Sequence, residues 1–236
     1  MNKLVVSLLA SAIAIPLAAE TRTPDPNPAA DSQKPTRKVH LLTASTPRDR
    51  QIELCLSAAP AEVSSKATIY VLGPKGYEKA REGTNGFSCL IERSFKDSVE
   101  TSSAPACFDA EGSGTLMLTY LRREELRAQG KSEPEIKDDI AQGFKDGRFK
   151  VPGPGFLYMM SNENYVYNSE SKQSGFVPPH LMFYAPNKTA KDVGYDAVHS
   201  GMVPYLTGSG PEGLLVVAAD KPGEKNSSSD DGHKHD

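Results

Sequence analysis

The hydrophobic and polar positions along the chain change their period twice. Between residues 68 and 95, short runs rich in β-branched and aromatic side chains are separated by turn residues, which is typical of strands. From residue 115 to about residue 146, apolar side chains recur every three or four positions, which is typical of amphipathic helices. Strand-like runs return after residue 156. Strands, then helices, then strands again predict an α+β fold.

The alternation and the turn residues also give bounds for the strands. We expect an antiparallel sheet with strands at 68–72, 77–81, 87–95, 156–161, 180–185, 203–206 and 214–219. Gly73–Gly76 has the composition of a turn, and Asn85–Gly86 is a strong hairpin signal. The first three strands are therefore predicted to form an antiparallel meander.

Two main helices are expected at about 115–128 and 133–146. The second begins with a capping box from Ser132 to Glu135, in which side chains satisfy the first free backbone N–H groups. Residues 46–59 favour a further helix. Because apolar residues also alternate within this segment, a strand remains open there.

The two ends of the chain predict export. A positive start, an apolar run over residues 4–17 and two small residues are typical of a secretory signal peptide, here 1–19. That run is too short to span a bilayer. Residues 20–38 and 221–236 are polar and predict a disordered leader and a disordered acidic tail. A single domain, 39–220, is expected in the periplasm or outside the cell, with no membrane span after signal removal.

Composition narrows the classes of partner. The chain has 236 residues, a formal net charge of −3, three Cys and no Trp. Proteins bind nucleic acid largely through an excess of Lys and Arg side chains, which displace counterions from the phosphates. This chain has no such excess, so nucleic acid is not expected as a partner. The sequence also has no P-loop, no HExxH and no CxxC motif, and no cofactor is expected.

Five runs of residues are distinctive in combination: REGTNGFSCLIERS (81–94), ACFDAEG (106–112), LRAQGKSEPEI (126–136), YMMSNENYV (158–166) and PPHLMFYAP (178–186). Over roughly residues 47–220 they resemble an uncharacterised family of secreted bacterial proteins. The resemblance implies a shared fold and an exported location, and it implies no activity, cofactor or catalytic residue. It includes cysteines that match Cys89 and Cys107 but none that matches Cys55.

Three cysteines in an exported protein allow three pairings for one disulfide. Cys55 shares a predicted helix face with Ile52 and Leu56, which favours packing as a small apolar side chain. Cys89 and Cys107 flank a polar stretch, and a bridge between them would close a loop of about 18 residues. We predict the Cys89–Cys107 disulfide, with a reactive cysteine as the alternative.

The candidate ligand-binding residues follow from strand alternation. His180, Met182 and Tyr184 point to one face of their strand, and Tyr158 and Met160 point to one face of theirs. If the two strands are neighbours, these side chains can line a pocket for a small ligand. Ordinary core packing is the alternative, since Met fills irregular gaps in cores.

Three further kinds of chemistry can be assigned to candidate residues. Imidazole and thioether groups suit Cu(I), so His180 with Met182 and either Met159 or Met160 is a possible copper site. Ser94, His180 and Asp109 can be combined as a hydrolase triad, although neither GxSxG nor SxxK surrounds the serine. Weak metal binding by the tail would use His233 and His235.

The alternative to a triad is a turn serine and an ion-pair network of Glu92, Arg93 and Asp109. Arg93 is also able to hold an anionic ligand by bidentate hydrogen bonds. A non-enzymatic binding protein of the cell envelope needs only a stable α+β scaffold and one exposed pocket for an unknown small ligand or partner protein. This function needs fewer specific residues than the others do. It is the function we expect, with a hydrolase and a copper-binding protein as alternatives.

Overall fold

A mixed sheet forms the centre of the fold. The computed structural model describes Leu42 and residues 45–93, 103–168, 173–194 and 204–219, all within one compact unit. The strands are β1 (Thr68–Gly73), β2 (Gly76–Arg81), β3 (Ser88–Glu92), β4 (Ala104–Phe108), β5 (Phe156–Met159), β6 (Tyr165–Asn168), β7 (Gln173–Phe176), β8 (His180–Tyr184), β9 (Tyr205–Thr207) and β10 (Leu214–Ala218). The helices are α1 (Arg48–Leu56), α2 (Ala61–Ser64), α3 (Ala110–Ser113), α4 (Leu116–Ala128) and α5 (Glu133–Lys145).

Within the described ranges, eight strands form one sheet in the order β2-β1-β3-β4-β5-β8-β10-β9. Strands β6 and β7 form a separate antiparallel hairpin. Neighbours in the large sheet are antiparallel except β1 and β3, which are parallel. The α+β class predicted from the sequence is confirmed.

The predicted meander of the first three strands is wrong, because β3 pairs with β1 and not with β2. After β2 the chain turns back past the start of β1, where the Gly83 N–H donates to the Thr68 hydroxyl oxygen. A Cβ at Gly83 would lie 2.2 Å from the Thr68 nitrogen, so only glycine fits this approach. Asn85 donates its side-chain amide to the Val63 carbonyl and thus belongs to a crossing segment, not to a hairpin.

Strand β4 was not expected from the sequence. All five of its residues are buried, so it has no polar alternation, and Pro105 is unusual in a central strand. Strands β6 and β7 were also not expected. Strand β5 ends at Met159, two residues earlier than predicted, because the Met160 N–H donates to the Ala58 carbonyl next to α1.

The helices agree closely with the periodicity. The segment at 46–59 contains a helix and no strand, and this helix, α1, runs from Arg48, after Pro47, to Leu56. The predicted capping box is present at the start of α5, where Ser132 and Glu135 exchange side-chain and backbone hydrogen bonds. In the part of the chain that the structure describes, no helix is long and apolar enough to cross a membrane.

Helices pack on both faces of the sheet. Helix α1 packs against β1, β3 and β4, in a cluster that includes Leu54, Cys55 and Ile69. On the opposite face, residues of α4 join Phe108 and Leu157 in a second cluster. Helix α5 packs on α4 and completes a two-layer arrangement on that side.

The cysteines are arranged as predicted. Cys89 and Cys107 lie directly opposite each other on β3 and β4 and form a buried disulfide. Cys55 is a free, buried thiol in the cluster under α1, and its sulfur lies 3.5 Å from the Tyr70 carbonyl oxygen. Burial raises the pKa of the Cys55 thiol to about 12, which disfavours the reactive thiolate.

Candidate functional site

The candidate residues of β8 lie where β5 and β10 pair with it on either side. Met159 is directly opposite His180, and Leu157 is directly opposite Met182. His180, Met182 and Tyr184 therefore share the α4 face of the sheet with Met159. His180 and Tyr184 are buried on this face, which makes it part of the core.

Tyr158 does not join this group. It lies opposite Leu181, so its ring projects from the other face of the sheet and packs against the cluster under α1. Met160 follows the end of β5 and is only partly buried. The five candidates are thus divided between two sides of the sheet, because a residue's face is set by cross-strand register, which alternation within one strand does not determine.

Asp109 links three elements through its carboxylate. It accepts hydrogen bonds from the Gly112 N–H at 2.8 Å, as the N-cap of α3, and from the Phe156 N–H at 3.0 Å. The Tyr184 hydroxyl lies 3.0 Å from the same carboxylate. These contacts hold Asp109 in a structural role within the described residues. Ser94, the nucleophile of the predicted triad, lies outside them.

Arg93 faces a carboxylate of its own chain. Its Nη1 donates to the Glu124 Oε2 at 2.6 Å, and Glu124 is almost fully buried. Glu124 also accepts from Arg127, which in turn forms a bidentate pair with Glu133. This chain of ion pairs joins β3 to α4 and α5, and it replaces the predicted network with Glu92 and Asp109.

Glu92 is a titratable group that the sequence did not single out for its pKa. It follows Leu90 on the α4 face, next to the salt bridge between Arg123 and Glu212. Burial raises the pKa of the Glu92 carboxyl to about 8, and repulsion from Glu212 acts in the same direction, while Arg123 opposes both. The carboxyl is therefore largely protonated at neutral pH.

The most distinctive surface lies on the α1 side of the sheet, over the outer strands, and only Tyr158 at its edge also packs against the cluster under α1. Two rows of apolar side chains cross the outer strands there. In one row Phe156, Phe183, Leu215 and Leu206 are successive cross-strand partners. Tyr158, Leu181 and Val217 form the other row. We call these seven residues the open face.

The open face remains accessible to solvent. Phe183 is 41% exposed, and the other six residues are partly exposed, whereas their neighbours Leu214 and Val216 are buried on the opposite face. Apolar patches of this kind mark interaction sites in soluble proteins.

Aromatic rings form a continuous line along this surface. Phe156 contacts Tyr158 at 5.1 Å between ring centroids and Phe183 at 6.0 Å, and Tyr158 contacts Phe87 at 6.2 Å. The interplanar angles are 82°, 46° and 35°, so the rings pack edge to face or tilted and do not form one flat platform.

The sequences of β8 and β10 already indicated that both faces of these strands are apolar. LLVVA in β10 and LMFY in β8 are apolar at consecutive positions, which is typical of strands covered on both faces. Helix α1 packs against β1, β3 and β4. The outer strands thus have the composition of doubly covered strands while one of their faces is accessible.

Metal-ligating side chains of the usual kinds are not clustered in the described residues: no group of three or more His, Cys, Asp or Glu side chains there could hold a metal ion. The tail histidines His233 and His235 lie outside that part of the chain.

Comparison of the sequence and the structure with family models, curated proteins and solved structures finds no match. The resemblance to a secreted bacterial family therefore stays a prediction.

Proposed function

We propose that this chain is a non-enzymatic binding protein of the cell envelope, and that its open face docks an uncharged, apolar surface of a partner protein. The observation that carries the proposal is the composition of this face. All seven outward positions on four adjacent strands are apolar or aromatic, and Phe183, which lies inside the row of four, is 41% exposed.

A protein surface fits this face better than a small molecule does. Sites for small molecules are concave and carry a few placed polar groups, whereas the open face is one side of an extended sheet. Its one polar side-chain group is the Tyr158 hydroxyl. Sugar rings are also a poor fit, because the aromatic rings are tilted by 35° to 82° and offer no common plane.

The open face has no charged side chain, and this determines which kind of partner surface it can bind. A charged partner group placed on the open face would lose its hydration with no opposite charge to replace it, which is costly. An apolar partner surface gains from burial at about 25 cal/mol per Å². Phe183 lies between Phe156 and Leu215, so it occupies the central position where binding energy is usually concentrated.

The location of the partner rests on the predicted export of the chain. The buried Cys89–Cys107 disulfide supports an oxidising compartment, since such bonds are rare in proteins kept in reducing cytosol.

The proposal is tested by site-specific photo-cross-linking in cells that export the full chain. A photoreactive phenylalanine analogue replaces Phe183, and a matched probe replaces Lys137, which is exposed on α5. We expect a discrete protein adduct from position 183 and none from position 137.

An adduct with another copy of the chain would identify self-association and contradict a distinct partner. Cross-linking to lipid alone would contradict a protein partner, and equal labelling from both positions would contradict a specific face.

A further inference from the structure

A second feature lies on the opposite side of the sheet and is independent of the open face. His180 is 3% exposed, and its Nδ1 lies 2.7 Å from the Pro178 carbonyl oxygen. A carbonyl oxygen only accepts, so Nδ1 carries the hydrogen of a neutral imidazole. The other ring nitrogen, Nε2, then bears a free lone pair.

This lone pair has no hydrogen-bond partner. His180 Nε2 is one of three buried side-chain nitrogen or oxygen atoms without one in the part of the chain that the structure describes. An orphaned acceptor in the interior is costly, and a bound ion is one of the groups that satisfies such an atom in native proteins. Histidines that bind metals commonly donate their other N–H to a backbone carbonyl, as His180 does to Pro178.

Two thioether sulfurs belong to the same face. Met159 is the direct cross-strand partner of His180, and Met182 lies two positions along β8. Directly opposed residues have Cβ atoms about 4.5–5.5 Å apart, and residues two apart on one strand are about 7 Å apart. Both distances are within the reach of a flexible methionine side chain. Met159 and Met182 also belong to one apolar cluster.

We propose that His180 Nε2 and the sulfurs of Met159 and Met182 form a binding site for Cu(I). The ion would gain one neutral imidazole nitrogen and two thioether sulfurs, and no electron is transferred on binding. Thioether sulfur is a soft ligand that selects Cu(I), whereas Zn²⁺ prefers thiolate, imidazole and carboxylate ligands. An uncharged ligand set in an apolar surrounding favours a monovalent ion over a divalent one.

The test is an anaerobic titration of the full chain with Cu(I) held by a chromophoric competing chelator. The background is His233→Ala with His235→Ala, so that the tail does not contribute to binding. We expect one equivalent of Cu(I), with at least tenfold weaker binding after Met159→Leu or Met182→Leu and loss of binding after His180→Asn. Leucine conserves the core volume, so both methionine variants are expected to fold.

Two matched controls define the site. Met160→Leu changes the neighbouring methionine that follows β5, and Cys55→Ser removes the free thiol in the cluster under α1. Neither should change the affinity for Cu(I). No retention of Cu(I) in the background variant would overturn the proposal. Equal affinity in Met159→Leu and Met160→Leu would do the same, and so would loss of binding in Cys55→Ser alone.

Discussion

Tyr184 and Asp109 meet across three elements of the fold. The Tyr184 hydroxyl lies 3.0 Å from the Asp109 carboxylate and 2.9 Å from the Phe156 carbonyl oxygen. The contact leaves no room beside it: a Cβ at Gly112 would lie 1.8 Å from that hydroxyl, and one at Gly155 would lie 2.5 Å from the carboxylate. The pair joins β8 to β5 and to the start of α3.

Removal of this hydroxyl should destabilise the domain. Tyr184→Phe deletes a hydrogen bond to the partly buried Asp109 carboxylate, and we expect the free energy of unfolding to fall by about 1.5–3 kcal/mol. Urea unfolding at pH 7 measures the change. Tyr205→Phe, at a half-buried tyrosine of β9, is the matched control and should change stability by less than about 0.5 kcal/mol. Equal effects of the two substitutions would contradict a structural role for the pair.

Glu92 should make stability depend on pH. Its pKa rises from 4.5 to about 8 on folding, so the folded state binds more protons than the unfolded state between these values. The resulting stabilisation is complete below pH 4.5 and is lost as the pH rises through 8. This group alone lowers the free energy of unfolding by at most about 1.4 kcal/mol per pH unit in that window.

The Glu92→Gln variant isolates this effect. Glutamine mimics the protonated carboxyl, so the variant should match the parent protein near pH 5 and exceed its melting temperature at pH 8.5. Glu62→Gln, at an exposed position on α2, should leave the pH profile unchanged. A parallel loss of stability with pH in Glu92→Gln and in the parent would contradict the assignment.

The disulfide should contribute more to stability than the free thiol. Replacing Cys89 and Cys107 together by Ala frees a closed loop of about 18 residues in the unfolded chain, which corresponds to about 3 kcal/mol. Cys55→Ala removes one buried sulfur and should cost about 1 kcal/mol. Thermal unfolding compares the variants. A count of one reactive thiol in the denatured, unreduced parent is expected, and three would contradict the bond.

The sequence predicted the fold class and most of the elements because they rest on local signals. The capping box at Ser132 and the spacing of Ile136 and Ile140 are examples, since each concerns neighbours on one helix. Strand β4 was missed because both of its faces are covered and its residues are all buried. The parallel pairing of β1 with β3 depends on a close approach at Gly83, which periodicity does not reveal.

The candidate site was predicted only in part, for the same reason. Alternation correctly placed His180 and Met182 on one face of β8, yet it left Met159 and Met160 as alternatives on β5. Register decides between them, and it places Met159 opposite His180. Whether the open face is accessible depends on how much of the sheet α1 covers. The apolar sequence of β10 alone does not show whether its outward face is covered or accessible.

The most direct measurement tests whether the open face is the docking surface. A photoreactive probe at Leu206, on the edge strand of this face, leaves the central Phe183 available for substitution. Cross-link yield in exporting cells is then compared between Phe183→Asp and the apolar control Phe183→Leu. We predict that Phe183→Asp abolishes the protein adduct while the folded protein is exported at normal levels, and that Phe183→Leu retains it. Equal yields from the two variants would contradict the proposed function.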